Sequence, residues 1–259
     1  GGGASFKEAD LPGANFSKTH LSNVDFEGAN LEKTDFQGAI LHYSNFRQVK
    51  FEGADFEGAD LRSANFKWAT LNEVNFSGAN LARTQFQNSS FKGANLSGAY
   101  FKEADLLGAN FSKTHLSNVD FEGANLEKTD FQGAILHRSK FHHAKFGGAD
   151  FRKASFIQVE LYYAAFKNAD LRGADFRLTQ FNGVDFKGAD LYAANLYGAN
   201  LNGVNFSGAN LGSAELRKTN FTCEQVEQAL HDEKTRFPQS IKVLLDPEGG
   251  ILCQETKKN

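Results

Sequence analysis

Any chemistry in this chain of 259 residues would have to start from a few reactive clusters. His142 and His143 are adjacent; two such imidazoles could be considered as ligands of a transition metal. Adjacent outward histidines without carboxylate support make a poor metal site, and no metal, cofactor or catalytic residue is expected. Asp130, Asp150, Asp170 and Asp190 recur every 20 residues. Stacked at ~5 Å, four like charges repel unless solvated or hydrogen-bonded, so local bonding to backbone is the expected role of these carboxylates. Cys223 and Cys253 are read as structural thiols in a reducing cytoplasm, with a disulfide closing the C-terminal segment as the alternative. Glycine-rich stretches such as GADFEGAD recur along the chain rather than once between a strand and a helix, unlike a phosphate loop.

The elements that must position these residues follow from one periodicity. From Phe6 to Phe221 every fifth residue is Phe or Leu, 44 times without an insertion, and the residue two before each is Ala, Val, Thr or Ser. A period of five matches neither the 3.6 of a helix nor the 2 of a strand. A very short strand followed by a corner satisfies it. Four such units make a square coil of 20 residues, and coils stack at the ~4.8 Å strand spacing with the large residue on the axis and the small one beside it. Most of the glycines fall two residues after the large one, as at Gly13, Gly28, Gly38 and Gly53, where a type II turn requires positive φ. The inward Thr and Ser, among them Thr19, Thr34, Ser44 and Ser89, are expected to bond to backbone.

The segments ADLPGANF, ANLSGAYF and ADLYAANLYGANLNGVNF resemble the Ala-(Asp/Asn)-(Leu/Phe)-x-x pattern of the pentapeptide repeat family. The resemblance implies an all-β solenoid, a right-handed quadrilateral β-helix of about eleven coils, ~50 Å long at the strand spacing. Its interior would be filled, leaving no pocket in which an enzyme could assemble a site.

Phe and Leu alternate over long stretches, so Phe should stand over Phe one coil apart, as at Phe6, Phe26, Phe46, Phe66 and Phe86, and later at Phe146, Phe166, Phe186 and Phe206. Consecutive Phe at 86–91, 141–156 and 176–186 should move the columns to the other pair of walls. Residues 6–42 and 101–137 are identical except for Pro12 against Leu107. Their offset of nineteen pentapeptides is one short of whole coils, so the second copy should be rotated by one wall.

Three segments are expected: residues 1–3 as a remnant of processing, 4–221 as the coil, and 222–259 as a C-terminal cap. In the cap, Thr222 with Gln225 reads as a capping box before a short helix over about 223–235, with Val226, Ala229 and Leu230 on one face. Pro238 stops it, and IKVLL and ILC flank a turn at Asp246–Gly250. The run TCEQVEQALHDEKTRFP is similar to C-terminal extensions of bacterial pentapeptide repeat proteins. No run of 18 apolar residues occurs, so no membrane span is expected, and the formal charge of −3 gives no basis for binding nucleic acid. The location expected is cytoplasmic, although a leader for the periplasm or a lumen, removed earlier, would leave no trace.

Outward residues are the part the core pattern leaves open. With residues 20 apart on one wall, His142 should lie beside Tyr162, His143 beside Tyr163, and Arg177 between Ile157 and Tyr197. Together with His137, Arg172 and Tyr192 they form a candidate interaction band, since exposed aromatic residues and Arg are enriched at protein interfaces. The function expected is a non-enzymatic scaffold displaying side chains to a protein partner, the chain being a monomer or associating end to end or through its C-terminus. The alternative, implied by the family resemblance, is a DNA-mimicking inhibitor of DNA gyrase of the quinolone-resistance type, which would need a strongly acidic face.

Overall fold

The computed structural model of the chain describes residues 3–245 and 251–256. The expected turn at Asp246–Gly250 therefore lies outside the described residues.

The chain forms a right-handed quadrilateral β-helix. Parallel bridges join residues 20 apart, from Ser5 with Asp25 onward, on each of four walls. The first wall is centred on Phe6, Phe26 and Phe46, the second on Leu11 and Leu31, the third on Phe16 and Phe36, and the fourth on Leu21 and Leu41. One unit shows the wiring. The Phe26 amide donates to the Asn45 carbonyl at 2.8 Å, the Asn45 amide donates to the Val24 carbonyl at 2.9 Å, and the Ala29 amide donates to the Phe26 carbonyl at 3.0 Å to close the corner. Backbone polar groups are thus paired between coils although each strand is one bridge long.

Every corner requires the left-handed region, and the sequence supplies glycine at fewer than half of them. Gly28 has φ 69°, but Tyr43, Trp68, Tyr163 and Leu178 adopt φ of 56–59° at the equivalent position. The left-handed turn is therefore imposed by the inter-coil ladder on residues that would pay roughly 1–2 kcal/mol to adopt it alone.

Phe and Leu fill the axis, and Phe26 through Leu216 are essentially fully buried. Phe rings stack coil over coil, Phe6 on Phe26 and Phe26 on Phe46 at 5.1 Å, while rings on facing walls meet edge to face, Phe26 against Phe36 at 6.0 Å. Each such contact adds about 0.5–1.5 kcal/mol beyond area burial. The columns change walls as expected at 86–91 and 141–156 but not at 176–186, where Phe186 and Phe206 keep to the first wall. Phe91, Phe111, Phe131 and Phe151 continue on the second wall, and Phe146, Phe166, Phe186 and Phe206 return to the first. Inward hydroxyls bond to carbonyls, Thr84 to Leu61 at 3.1 Å and Thr179 to Phe156 at 2.7 Å.

The ladder has faults where the columns change walls. The amides of Gly93, Leu96, Gly98 and His115 lack the inter-coil backbone bond that their neighbours one coil away make, and no bridge joins Asn95 to His115, although Asn95 bridges back to Asn75 and His115 on to Ile135. Arg138 and Glu160 lack theirs at the second change. Ring pairs beside the first fault are tilted, Phe86 against Phe101 by 54°. Faults therefore lie near both ends of the repeated segment 101–137.

Beyond Phe221 the chain forms helix α1 (Cys223–Gln228) and the antiparallel pair β1 (Ile241–Leu245) and β2 (Ile251–Glu255). The capping box is present: the Thr222 hydroxyl accepts from the Gln225 amide, and the Gln225 side chain accepts from the Thr222 amide. Gln225 also donates to the Leu201 and Val204 carbonyls at 3.2 Å each, covering the last coil where the fourth wall turns into the first. The helix expected over about 223–235 stops at Gln228. Ala229 is extended there, and Leu230 joins the second wall, its amide donating to the Ala209 carbonyl at 2.8 Å. Leu230 is consequently 63% exposed rather than on an apolar helix face. The second correction concerns the cysteines. Cys223 and Cys253 are joined in a disulfide, not left as thiols, with Cα atoms 5.4 Å apart. The sequence pattern placed both outside the coil without revealing that the chain folds back to bring β2 against α1.

Candidate functional site

The reactive residues sit outside the core, so the coil register decides which of them meet. It divides the candidate band among three walls. His142, His143, Tyr162 and Tyr163 lie on the fourth wall, His137, Ile157, Arg177 and Tyr197 on the third, and Arg172 and Tyr192 on the second.

On the fourth wall the rings pair as the spacing predicts. His142 stacks on Tyr162 at 4.6 Å and His143 on Tyr163 at 5.4 Å between centroids. Tyr163 also covers Gly183, whose missing Cβ would stand 2.7 Å from the ring. Ring faces are thus used against neighbouring coils, and solvent meets ring edges. His142 Nε2 lies 3.4 Å from a Glu160 carboxylate oxygen, and its Nδ1 is buried without a partner. Tyr163 is 64% exposed, and Leu178, at the corner joining the third and fourth walls, is 52% exposed. Among the described residues no group of three or more His, Cys, Asp or Glu could hold a metal ion.

On the third wall His137 bonds to the Ser155 hydroxyl at 2.8 Å. Arg177 stands between Ile157 and Tyr197 in the coil register. It folds onto Asp175 in a two-pronged pair at 2.7–2.9 Å, the geometry a planar guanidinium favours with a carboxylate. The cation over Tyr197 is Lys218, 5.2 Å from the ring centroid.

The second wall resolves the aspartate stripe. Each Asp130, Asp150, Asp170 and Asp190 carboxylate accepts from the amide two residues on, at 2.9–3.2 Å. Arg152 reaches Asp150 at 2.6 Å and Asp170 at 3.7 Å, and Arg172 repeats the step from Asp170 to Asp190. Two arginines thus tie Asp150, Asp170 and Asp190 together, while Asp130 is held by the Gln132 amide. The Arg152 guanidinium, bonded to Asp150, holds that carboxyl below the usual carboxylate range.

A further polar cluster was not singled out from the sequence. His42, Asp60 and Arg62 meet on the fourth wall, with His42 Nε2 and Arg62 Nη2 each 2.7 Å from the same Asp60 oxygen. Burial would raise the Asp60 pKa, but Arg62 and His42 more than offset it and the carboxyl is held low. His42 and Arg62 are 20 apart and Asp60 is two before Arg62, so coil register applied to every charged residue would have found the cluster. Arg47 over Trp68, 4.8 Å to the centroid, escaped for a different reason: its residues are 21 apart and pair diagonally.

Counted wall by wall, basic residues stand against acidic ones seven to six, seven to eight, five to five and four to five from the first wall to the fourth. No wall is strongly charged. Among the described residues no helix is long and apolar enough to cross a membrane.

Comparison with known proteins agrees with this architecture. Residues 3–76 and 134–216 match the family model of the pentapeptide repeat region, and residues 79–118 and 114–152 match that of pentapeptide repeats in eight copies. No curated protein sequence matches the chain. Among solved structures it is similar to HetL, a pentapeptide repeat protein involved in heterocyst differentiation regulation from the cyanobacterium Nostoc sp. strain PCC 7120. The identity is 26% over 80% of this chain and 88% of HetL, with a TM-score of 0.65. Full-length QnrB1, a plasmid-mediated fluoroquinolone resistance protein, is 16% identical over 89% of this chain and 92% of its own, with a TM-score of 0.33. AT2G44920, from the Arabidopsis thaliana thylakoid lumen, is 34% identical over 41% of this chain and 71% of its own, with a TM-score of 0.23. With the two family models together matching nearly the whole coil, and the coil built as they imply, the chain belongs to the pentapeptide repeat family.

Proposed function

We propose that the protein is a non-enzymatic interaction scaffold that presents side chains to a protein partner from the walls of a rigid coil. The reading rests on where the aromatic residues lie. The core is complete without Tyr162, Tyr163, His142, His143 or Leu178, yet these gather within three coils on the fourth wall and its corner, with Tyr163 and Leu178 mostly exposed. Rigid aromatic side chains give contact area at small entropic cost, and their stacking leaves little further ordering to be done on binding. Because the band is divided among walls, this fourth-wall patch is the part of it that a single partner face could cover.

The test is capture of a partner from native lysate by the intact chain and by a variant carrying Tyr163→Ala and Leu178→Ala. Loss of a reproducible partner with an unchanged circular dichroism spectrum supports the patch, whereas equal capture refutes it. The alternative of DNA mimicry needs an acidic wall, and the near balance of charge on all four walls speaks against it. The disulfide favours a compartment in which such bonds persist, such as a periplasm or a lumen, over the cytoplasm expected from the sequence.

A further inference from the structure

The C-terminal hairpin is attached to the coil in an unusual way. Among the described residues, the hydrogen bonds of β1, β2 and their flanks run within the hairpin or to its lead-in: Thr256 to Ser240 and Gln239, and Ile241 to Pro238. None reaches the coil or α1. The preceding segment differs, since Leu230 and Arg236 both bridge to the last coil. The hairpin's apolar hold consists of Ile241, 7% exposed, with Val243 and Cys253 partly buried against the core. Beside it runs an open groove of about 700 Å³ lined by Tyr197, Lys218, Phe221, Gln239 and Glu255. A two-stranded hairpin with five-residue strands is marginal by itself. What fixes it over the end of the coil is the covalent bond from Cys253 on β2 to Cys223 on α1. Both cysteines are partly exposed and so within reach of a reductant.

We propose that the Cys223–Cys253 bond is a redox-sensitive latch: reduction frees the hairpin from the end of the coil, uncovering the apolar surface around Phe221 and Val226, while the coil itself stays folded. The reductant is a dithiol. One of its thiolates attacks a sulfur of the Cys223–Cys253 bond, forming a mixed disulfide and expelling the other cysteine as a thiolate. The second dithiol sulfur then displaces the remaining cysteine. Two electrons pass to the protein, the two cysteine sulfurs take up two protons, and the dithiol leaves as a disulfide. The coil is insulated from this step because Gln225 and the Leu230 and Arg236 bridges close its end without the hairpin.

Hydrogen exchange read by mass spectrometry on the whole protein tests the latch, with and without dithiothreitol, beside a Cys223→Ser/Cys253→Ser variant. The expected result is exchange about tenfold faster or more in residues 241–245 and 251–255 upon reduction, with residues 26–216 unchanged and the variant open in both conditions. Unchanged hairpin protection upon reduction would overturn the proposal, because apolar contacts would then suffice. Loss of protection in the coil would also overturn it by making the bond part of the coil's own stability. So would recovery of both cysteines as free thiols from air-equilibrated protein, measured by alkylation and intact mass.

Discussion

At the residue scale the fold is set by how much each position of the pentapeptide tolerates. The large and small inward positions tolerate little, and their occupants could be read directly from the chain. The corner position tolerates more than its glycines suggest, because Lys, Glu, Tyr and Leu are held there in the left-handed region. That strain can be relieved. Ala193, exposed at φ 56°, carries the cost without a stacking partner among the aromatic pairs, so Ala193→Gly is expected to raise stability by about 1 kcal/mol in urea unfolding. A loss of stability would show that the unfolded-state entropy of glycine dominates. The aspartate before each centre is a second case. Asp150 has its pKa lowered in the folded state, mainly by its bond to Arg152. Its charge therefore stabilises the protein above the unfolded value of about 4 and stops doing so as pH falls through the lower folded value. Asp150→Asn keeps an acceptor for the Arg152 amide but removes the charge and one of the two oxygens that accept from the Arg152 guanidinium, as protonation of the carboxylate does. Its melting temperature should lie below that of the parent at pH 7 and meet it near pH 2. A gap that persists at pH 2 would assign the effect to geometry rather than charge. The stripe was legible in the sequence as carboxylates at a fixed interval, but its cross-linking by arginine was not, because Arg152 and Arg172 reach forward to the next coil as well as back to their own.

At the element scale the unit is the coil, and its weakest steps lie where the Phe columns change walls. On the third wall the Phe column ending at Phe76 is followed by Leu96 and Leu116, and the amides of Leu96 and Gly98 lose their inter-coil bonds. One coil earlier, Phe76 and Gly78 make theirs at 2.7 and 3.0 Å. Exchange at Leu96 and Gly98 should accordingly be about tenfold or more faster than at Phe76 and Gly78 in native-state measurements, and equal protection would remove the fault from the solution structure. Consecutive Phe residues disclosed the change of wall in the sequence. They did not disclose that it costs backbone bonds, since that depends on how a narrower Leu layer sits against a Phe layer in three dimensions. The cap shows the same limit. Its capping box was readable from Thr222 and Gln225, but Ala229 and Leu230 were expected in a helix and instead rejoin the second wall, Ala229 in line with the small inward Ala209 and Leu230 in the outward position bridged to Asn210. Their pairing is decided by the open edge at Ala209 and Leu211, a partner local periodicity cannot see.

At the scale of the whole molecule the repeated segment shows what the architecture permits. Lys7 faces Glu27 on the first wall, and the same pair recurs as Lys102 and Glu122 on the fourth, one wall around. An outward amide bond is carried over as well: Asn30 donates to the Asp10 carboxylate at 2.8 Å, and Asn125 donates to that of Asp105 at 3.0 Å. A segment that keeps its contacts after a quarter turn establishes that the walls are interchangeable for folding. They are not interchangeable for recognition, because outward residues pair only within the register of their own block. Two deletions upstream of the fourth-wall patch separate these properties. Removing residues 71–90, one whole coil, leaves every downstream residue on its wall, whereas removing residues 71–75 turns everything downstream by one wall relative to what precedes it. Both variants are expected to unfold cooperatively with native-like circular dichroism, since each preserves the inward pattern. If the partner contacts only the patch built by His142, Tyr162, Tyr163 and Leu178, both should capture it as the parent does, because those residues move as one body. If recognition also uses the His42, Asp60 and Arg62 cluster on the same wall, the five-residue deletion should lose the partner while the 20-residue deletion weakens it less. Failure of the five-residue deletion to fold would contradict the interchangeability of the walls, and with it the account of how the repeated segment was accommodated.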